Sequence, residues 1–121
     1  MIIPEFIQNQ LPAMAKEAPF SITVCDTKGI ILYMNEKSAR TFSKSGGKEL
    51  VGKSLMGCHS DKSREKIAVL MGNASTNAYT IDKNGIKKLI YQTPWFEDGK
   101  IKGLVEFSLE IPFEMPHFKR E

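Results

Sequence analysis

The chain has 121 residues, of which 41% are hydrophobic and 26% charged, with a net charge of +3. This length builds one domain with a single core, and the composition is that of a soluble globular protein, which excludes fibrous and intrinsically disordered classes. Apolar runs are far shorter than a membrane span, and polar residues interrupt the N-terminal region where a signal peptide would lie. We therefore expect a single-domain, cytoplasmic protein that does not bind membranes.

Cysteine usage and charge distribution narrow the possible partners. Cys25 and Cys58 have no metal-binding spacing and make no disulfide framework, so we expect reduced thiols and no metal site. Between Lys37 and Lys66 there are eight Lys or Arg residues against three acids. These charges are spread at surface intervals without an arginine cluster, which favours a solvated face over a nucleic-acid interface. We therefore expect no nucleic-acid partner.

The N-terminal residues 1–18 have apolar side chains at helical spacing. Pro12 interrupts this pattern, which predicts one broken helix or two short ones. The apolar stripe needs a partner, and the predicted partner is a second copy of the chain. The candidate dimer-interface residues are Phe6, Ile7, Leu11 and Met14.

The next segment, residues 20–36, has the pattern of a β-hairpin. Ile22 and Val24 alternate with polar residues, residues 26–29 have turn chemistry with glycine at the end, and β-branched and aromatic residues resume at Ile30. Asn35 ends the second strand, and its side chain is suited to cap a short helix over residues 36–42.

A longer helix and three strands follow. Ile67, Leu70 and Met71 share one face of a helix predicted over residues 61–72, which ends at Gly72 and Asn73. Strands are predicted over residues 78–82, 86–96 and 101–111, joined by Asn-Gly and Asp-Gly turns. A hairpin that leads through helices into a three-stranded meander closes as one antiparallel sheet with the helices on one face, which is an α+β fold.

Three segments of the sequence resemble a PAS domain. They are VCDTKGIILYMNEKSARTF, GKSL at 52–55 and TPWFEDGKIKGLVEFSLEI, and together they cover about residues 20–111. The resemblance implies a five-stranded antiparallel sheet of order 2-1-5-4-3, with an N-terminal helical cap at 1–18, a PAS domain at 19–111 and a proline-containing tail at 112–121. The stretch CHSDKSREKI is similar to a bacterial subgroup with a Cys-His pair before the long helix, some of whose members are small stand-alone proteins.

The resemblance implies a sensory or regulatory module of bacterial signal transduction. A small ligand would occupy the cup between the long helix and the sheet, and the signal would pass through a homodimer or a separate signalling partner. We assign Leu89, Tyr91, Thr93 and Trp95 to one face of the middle strand of the meander. The outer face is assigned to Ile90, Gln92, Leu104, Glu106 and Ser108. The candidate ligand-binding residues are then Met56, Cys58, His59, Ile67, Tyr91, Trp95 and Phe107.

Cys58 and His59 have two interpretations each. In the first interpretation, His59 is a loop residue that is hydrogen-bonded to backbone ahead of the helix. In the minority interpretation, it is a haem ligand. Haem-binding PAS domains supply this proximal histidine from the long helix itself, whereas His59 precedes the helix. Cys58 is a buried inert thiol, or a reactive one activated by the helix N-terminus. The cofactor stays unknown, and photoactive flavin is disfavoured because NEKSARTF lacks the cysteine of light-sensing PAS domains.

No catalytic motif is present, so we expect no enzyme. The alternative to a ligand sensor is a ligand-free protein–protein interaction domain. Its core would be filled by side chains, and it would dimerise through the N-terminal helix and the outer face of the sheet. Binding of a small ligand would favour the sensor, whereas a dimer that binds no ligand would favour the interaction domain.

Overall fold

The computed structural model describes residues 12–55 and 61–121, and the side chains of all of these except 61–64. Helix α1 (residues 12–17) leads into strands β1 (Ser21–Asp26) and β2 (Ile31–Met34). Helix α2 (Glu36–Thr41), two 3₁₀ turns (Ser43–Ser45 and Gly47–Leu50) and helix α3 (Asp61–Gly72) follow. The chain then forms β3 (Asn77–Lys83), β4 (Ile86–Glu97) and β5 (Lys100–Ile111). Within the described ranges, no helix has the length and apolar character needed to cross a membrane.

All five strands lie in one antiparallel sheet of order β2-β1-β5-β4-β3. The predicted fold class and strand order are therefore confirmed. β1 and β5 pair at the centre, although they come from opposite ends of the domain, and this pairing joins the N-terminal hairpin to the meander. The predicted strand ends agree with the observed ones to within about one residue, as expected where turn residues mark the boundaries.

The turns of the sheet have the backbone geometry that their sequences predict. Asn84 and Gly85 have φ angles of 53° and 78°, and Asp98 and Gly99 have 51° and 77°. Two successive residues with positive φ define the hairpin turn whose twist matches that of the flanking strands. In the first hairpin, the Asp26 carboxylate instead accepts hydrogen bonds from two backbone amides of its own turn, at 2.8 and 2.9 Å. Local side chains thus set the ends of these strands.

Asn35 connects three elements through one fully buried amide. Its Oδ1 accepts hydrogen bonds from the backbone amides of Ser38 and Ile22, each at 3.0 Å, and the first of these caps α2 as predicted. Its Nδ2 donates to the carbonyl oxygens of Phe20, at 2.8 Å, and Ala15, at 3.0 Å. An amide side chain has two donor hydrogens and an acceptor oxygen, so this asparagine is fully satisfied and ties α1, the start of β1 and α2 together.

Two groups of buried apolar side chains form the core. The first joins α3 to the sheet through Ile67, Leu70, Cys25 and Leu104. The second lies under the 3₁₀ turns and contains Ile31, Met34 and Leu50, and Leu55 packs against both groups. Residues 52–55 reach this position because they pair with the exposed edge of β2, where the Ile31 amide donates to the Lys53 carbonyl at 2.9 Å.

The structure reverses the predicted assignment of the two sheet faces. Ile90 and Leu104 are buried beneath the helices, and Gln92 and Glu106 lie on the same inner face; Ser108 joins them because it pairs directly with Ile90. All five had been assigned to the outer face, so that prediction is wrong. Alternation separates a strand's residues into two sets, but it does not say which set meets the helices.

The larger apolar side chains of β4 and β5 therefore form the outer face. Tyr91 and Phe107 are cross-strand partners there, and Ile22 of β1 continues the same row. Phe20 packs against Phe107 with ring centroids 6.3 Å apart, so part of this face is covered from the N-terminal side. Tyr91 remains 40% exposed.

Gly103 allows β1 and β5 to approach closely at one end of the sheet. Its φ is 155°, and a Cβ atom at this position would lie 1.8 Å from the carbonyl oxygen of Cys25. The same carbonyl accepts a hydrogen bond from Nε1 of Trp95, the strand neighbour of Gly103, at 3.0 Å. Glycine is required here because any side chain would overlap with backbone.

Candidate ligand-binding cavity

A cavity of about 160 Å³ lies between the inner face of the sheet and the helical segments, at the junction of the two core groups. Most of its wall is apolar and comes from β1, β2, β5, the 3₁₀ turns and α3. These residues are Cys25, Ile31, Met34, Phe42, Leu50, Leu55, Ile67 and Leu104. The remaining wall is polar and consists of Thr23, Ser45, Gln92 and Glu106. An apolar cavity with a few polar groups is the usual form of a small-molecule site.

Hydrogen bonds made by side chains of four neighbouring strands hold the polar wall in place. Asn77 of β3 donates to Oε1 of Gln92 at 3.0 Å, and Gln92 in turn donates through Nε2 to Oε2 of Glu106 at 2.7 Å. The hydroxyl group of Thr23 on β1 lies 2.5 Å from that of Ser38 on α2, and the two are hydrogen-bonded. The sheet register places Asn77, Gln92, Glu106 and Thr23 in one row, and all of these except Asn77 line the cavity.

Glu106 is the charged residue of this wall. It is half-buried, and its Oε1 accepts no hydrogen bond from any described residue. Within residues 12–55 and 65–121, no lysine, arginine or histidine lies within 4.0 Å of it. Among the described residues, this carboxylate therefore has one oxygen without a hydrogen-bond donor, and that oxygen is suited to accept from a ligand.

Cys25 contributes a neutral apolar surface to the cavity. Burial raises the pKa of its thiol, and the charges of Asp26 and Glu106 raise it further, although a hydrogen bond with the Leu104 backbone acts in the opposite direction. A thiol with a raised pKa stays protonated at neutral pH and is a poor nucleophile. Cys25 is therefore a lining residue and not a reactive group.

The predicted ligand-binding residues are distributed unevenly around this cavity. Ile67 lines it, and its role in ligand binding stays a prediction. Met56, Cys58 and His59 lie outside the described residues, so the two interpretations of the Cys-His pair stay predictions. Among the described side chains, no group of three His, Cys, Asp or Glu residues is arranged to hold a metal ion.

Tyr91, Trp95 and Phe107 do not line this cavity, and their assignment to the ligand site stays a prediction. They belong to the outer set of β4 and β5, because the residues that alternate with them face the helices. The sequence analysis missed Thr23, Gln92 and Glu106 as site residues. In β5, polar residues alternate with apolar ones at Glu106, Ser108 and Glu110, but β4 has no such alternation, and the pattern does not show which set faces the helices.

One of the four candidate dimer-interface residues is described. Met14 lies in α1 and is 55% exposed, as a residue available for self-association would be. Phe6, Ile7 and Leu11 lie outside the described residues, and the dimer interface stays a prediction.

Comparison with known proteins was made by sequence and by structure. No family model matches the sequence, and no curated protein matches it. By structure, the PAS domain of a protein from Colwellia psychrerythraea matches with a TM-score of 0.63, 18% identity and coverage of 87% of this chain and 97% of that one. The chain has the PAS fold.

Two further structures with this PAS fold are relevant to the cavity. The sensory box sensor histidine kinase of Vibrio cholerae matches with a TM-score of 0.61, 15% identity and coverage of 89% and 94%. The protein VqmA, in a structure described as bound to DPO, matches with a TM-score of 0.66 and 14% identity over 85% of this chain. The matched part is 57% of VqmA's own length. At these identities, the likeness establishes the PAS fold of this chain and nothing beyond it.

Proposed function

We propose that this protein is a sensory or regulatory PAS module of bacterial signal transduction that acts in the cytoplasm. It binds a small molecule in the cavity between α3 and the sheet, and passes the signal through a homodimer or a partner protein. The observation that carries the proposal is the cavity itself, an apolar space with one ordered polar wall. A sensor kinase and the DPO-bound VqmA, which have the same fold, support it.

A ligand in this cavity would contact the sheet, the 3₁₀ segment and α3 at the same time. The sheet contributes Cys25 and Leu104, the 3₁₀ segment contributes Leu50, and α3 contributes Ile67. A ligand that fills the gap between these parts favours the arrangement in which all of them touch it, and so shifts the population toward that arrangement. A partner protein that binds one arrangement more tightly would respond to this shift in population.

We propose no catalytic step for this cavity. Among the described residues that line it, the ionisable side chains are Glu106 and Cys25. The raised pKa of the Cys25 thiol argues against a nucleophile. A single carboxylate that has no basic partner among the described residues is poorly suited to acid–base chemistry. A binding role accounts for the cavity without any such step.

The test uses a variant that closes the cavity from outside. Ser45 lines the cavity and is exposed, so Ser45→Trp places a large ring at the entrance without altering the core. Ser43→Trp is the matched control, because Ser43 is exposed on the same 3₁₀ turn and does not line the cavity. Both variants and the unaltered protein are screened by thermal shift against haem, flavins, fatty acids and small bacterial metabolites.

A true ligand at 100 times its Kd stabilises the native state by about 2.7 kcal/mol, which raises the Tm of a domain of this size by roughly 10 °C. We expect this rise in the unaltered protein and in Ser43→Trp, and its loss in Ser45→Trp. An absorption spectrum of the untreated protein shows whether haem or flavin is already bound. If no compound raises the Tm, or if both tryptophan variants respond like the unaltered protein, binding in this cavity is refuted.

The outer face supports the second part of the proposal, self-association. Tyr91 is exposed within an apolar row that includes Ile22 and Phe107. Tyr79, on the inner face of β3, has nearly the same exposure, 43% against 40%, and serves as the matched control. We expect light scattering to report a dimer for the unaltered protein and for Tyr79→Lys, and a monomer for Tyr91→Lys. A monomeric unaltered protein at high concentration would contradict self-association but not ligand binding.

A further inference from the structure

The size of the cavity limits the ligand to about one ring. An apolar cavity of about 150 Å³ in a protein core is known to hold one benzene molecule. The cavity here has about 160 Å³ and a similar apolar lining, formed by side chains such as Met34, Leu50 and Leu104. Larger groups such as haem would require the surrounding elements to move apart.

The charge of the cavity limits the ligand further. Glu106 lies in the cavity wall, and its Oε2 accepts a hydrogen bond from Gln92. Its Oε1 accepts none from any residue that the structure describes. A ligand that fills the cavity displaces water from this carboxylate, and burial of a charge without a partner is energetically unfavourable. A positively charged N–H group on the ligand offsets this cost, because a charge-assisted hydrogen bond is roughly twice as strong as a neutral one. A ligand carboxylate would add repulsion.

We propose that the cavity recognises a small organic cation, an amine or amidine with an apolar body no larger than a single ring, whose N–H group donates to Oε1 of Glu106. The apolar body lies against Met34, Leu50 and Leu104, and Gln92 holds the carboxylate in position. This inference rests on the proposed function and adds to it the chemical class of the ligand.

The test compares three probes that share one benzene ring and differ in charge: benzylamine, benzyl alcohol and benzoate. Each is titrated into the isotopically labelled full chain, and the amide signals of Thr23, Leu104 and Glu106 are followed by NMR. We expect benzylamine to bind about tenfold more tightly than benzyl alcohol, and benzoate to bind most weakly. This ranking needs no variant, so it stays informative even if a variant fails to fold.

Two variants then test the role of the carboxylate. Glu106→Gln keeps the size of the side chain and removes the charge, and we expect it to weaken benzylamine about tenfold and to leave benzyl alcohol unchanged. Glu114→Gln is the control, because Glu114 is exposed near the C-terminus and does not line the cavity. It removes the same charge and should leave all three affinities unchanged.

The outcomes separate this inference from the proposed function. If benzoate or benzyl alcohol binds as tightly as benzylamine, or if Glu106→Gln leaves benzylamine unaffected, the cationic class is refuted while binding in the cavity stands. If no probe shifts the cavity amides, the inference is also refuted, and the Ser45→Trp screen decides whether the proposed function is refuted with it.

Discussion

The amide of Asn35 is the contact whose removal should have the clearest effect on stability. Asn35→Ala removes four hydrogen bonds and leaves two backbone amides and two carbonyls without the partner they have now. Loss of the helix cap alone costs about 1 kcal/mol. Each further buried group left unpaired costs about 1–3 kcal/mol, less where water enters. We therefore expect a loss of about 3–5 kcal/mol in the free energy of unfolding.

Urea unfolding followed by circular dichroism measures this loss. With a slope of about 2 kcal/mol per M, the midpoint should fall by roughly 2 M, without a change in slope. Asn73→Ala is the matched control, because Asn73 is exposed at the end of α3 and should change stability by less than about 0.5 kcal/mol. A loss below 1 kcal/mol for Asn35→Ala would refute the argument that this amide holds α1, β1 and α2 together.

Asn35→Asp tests the hydrogen bonds that Asn35 accepts separately from those that it donates. The aspartate keeps the acceptors for the amides of Ile22 and Ser38, but it loses both donors and faces the carbonyls of Ala15 and Phe20. Its protonated form can donate one hydrogen bond, so the deficit relative to the unaltered protein should narrow as pH falls from 7 to 5. An unchanged deficit across this range would show that the donors contribute little.

Three further predictions concern the core and the thiol. Gly103→Ala should lower the free energy of unfolding by more than about 3 kcal/mol or prevent folding, because its Cβ would overlap with the Cys25 carbonyl. Gly72→Ala is the control in the same urea assay, and it should change this free energy by less than about 1 kcal/mol because the space around Gly72 is open. The raised pKa values of Cys25 and Tyr79 mean that the unfolded chain releases these protons first, so stability should fall as pH rises above about 9, and a rise would contradict the assignment. In a Cys58→Ser variant, Cys25 should react with Ellman's reagent at pH 8 about 100-fold more slowly than in urea-unfolded protein, and equal rates would contradict its burial.

Turns and helix ends of this protein can be predicted from short stretches of its sequence. Asn84-Gly85 and Asp98-Gly99 predict turns because few other residue pairs adopt two successive positive φ angles, and the structure has those angles. Asn35 predicts a helix start because its side chain can accept from the amides that a first helical turn leaves free, and the bond to Ser38 is present. Each of these interactions joins residues that are neighbours in sequence, so a short stretch contains all the information.

The tertiary structure alone decided which face of the sheet is the inside, and therefore where the cavity lies. Alternation divides β4 and β5 into an apolar set with Tyr91 and Phe107 and a mixed set with Gln92 and Glu106, and either set satisfies the local pattern. Apolar content favoured the first set as the inner one, but α3 packs on the second. The choice depends on how the crossover from β2 to β3 passes over the sheet, and it involves contacts between residues far apart in the chain. No short segment contains those contacts, so local periodicity had no means of choosing the face.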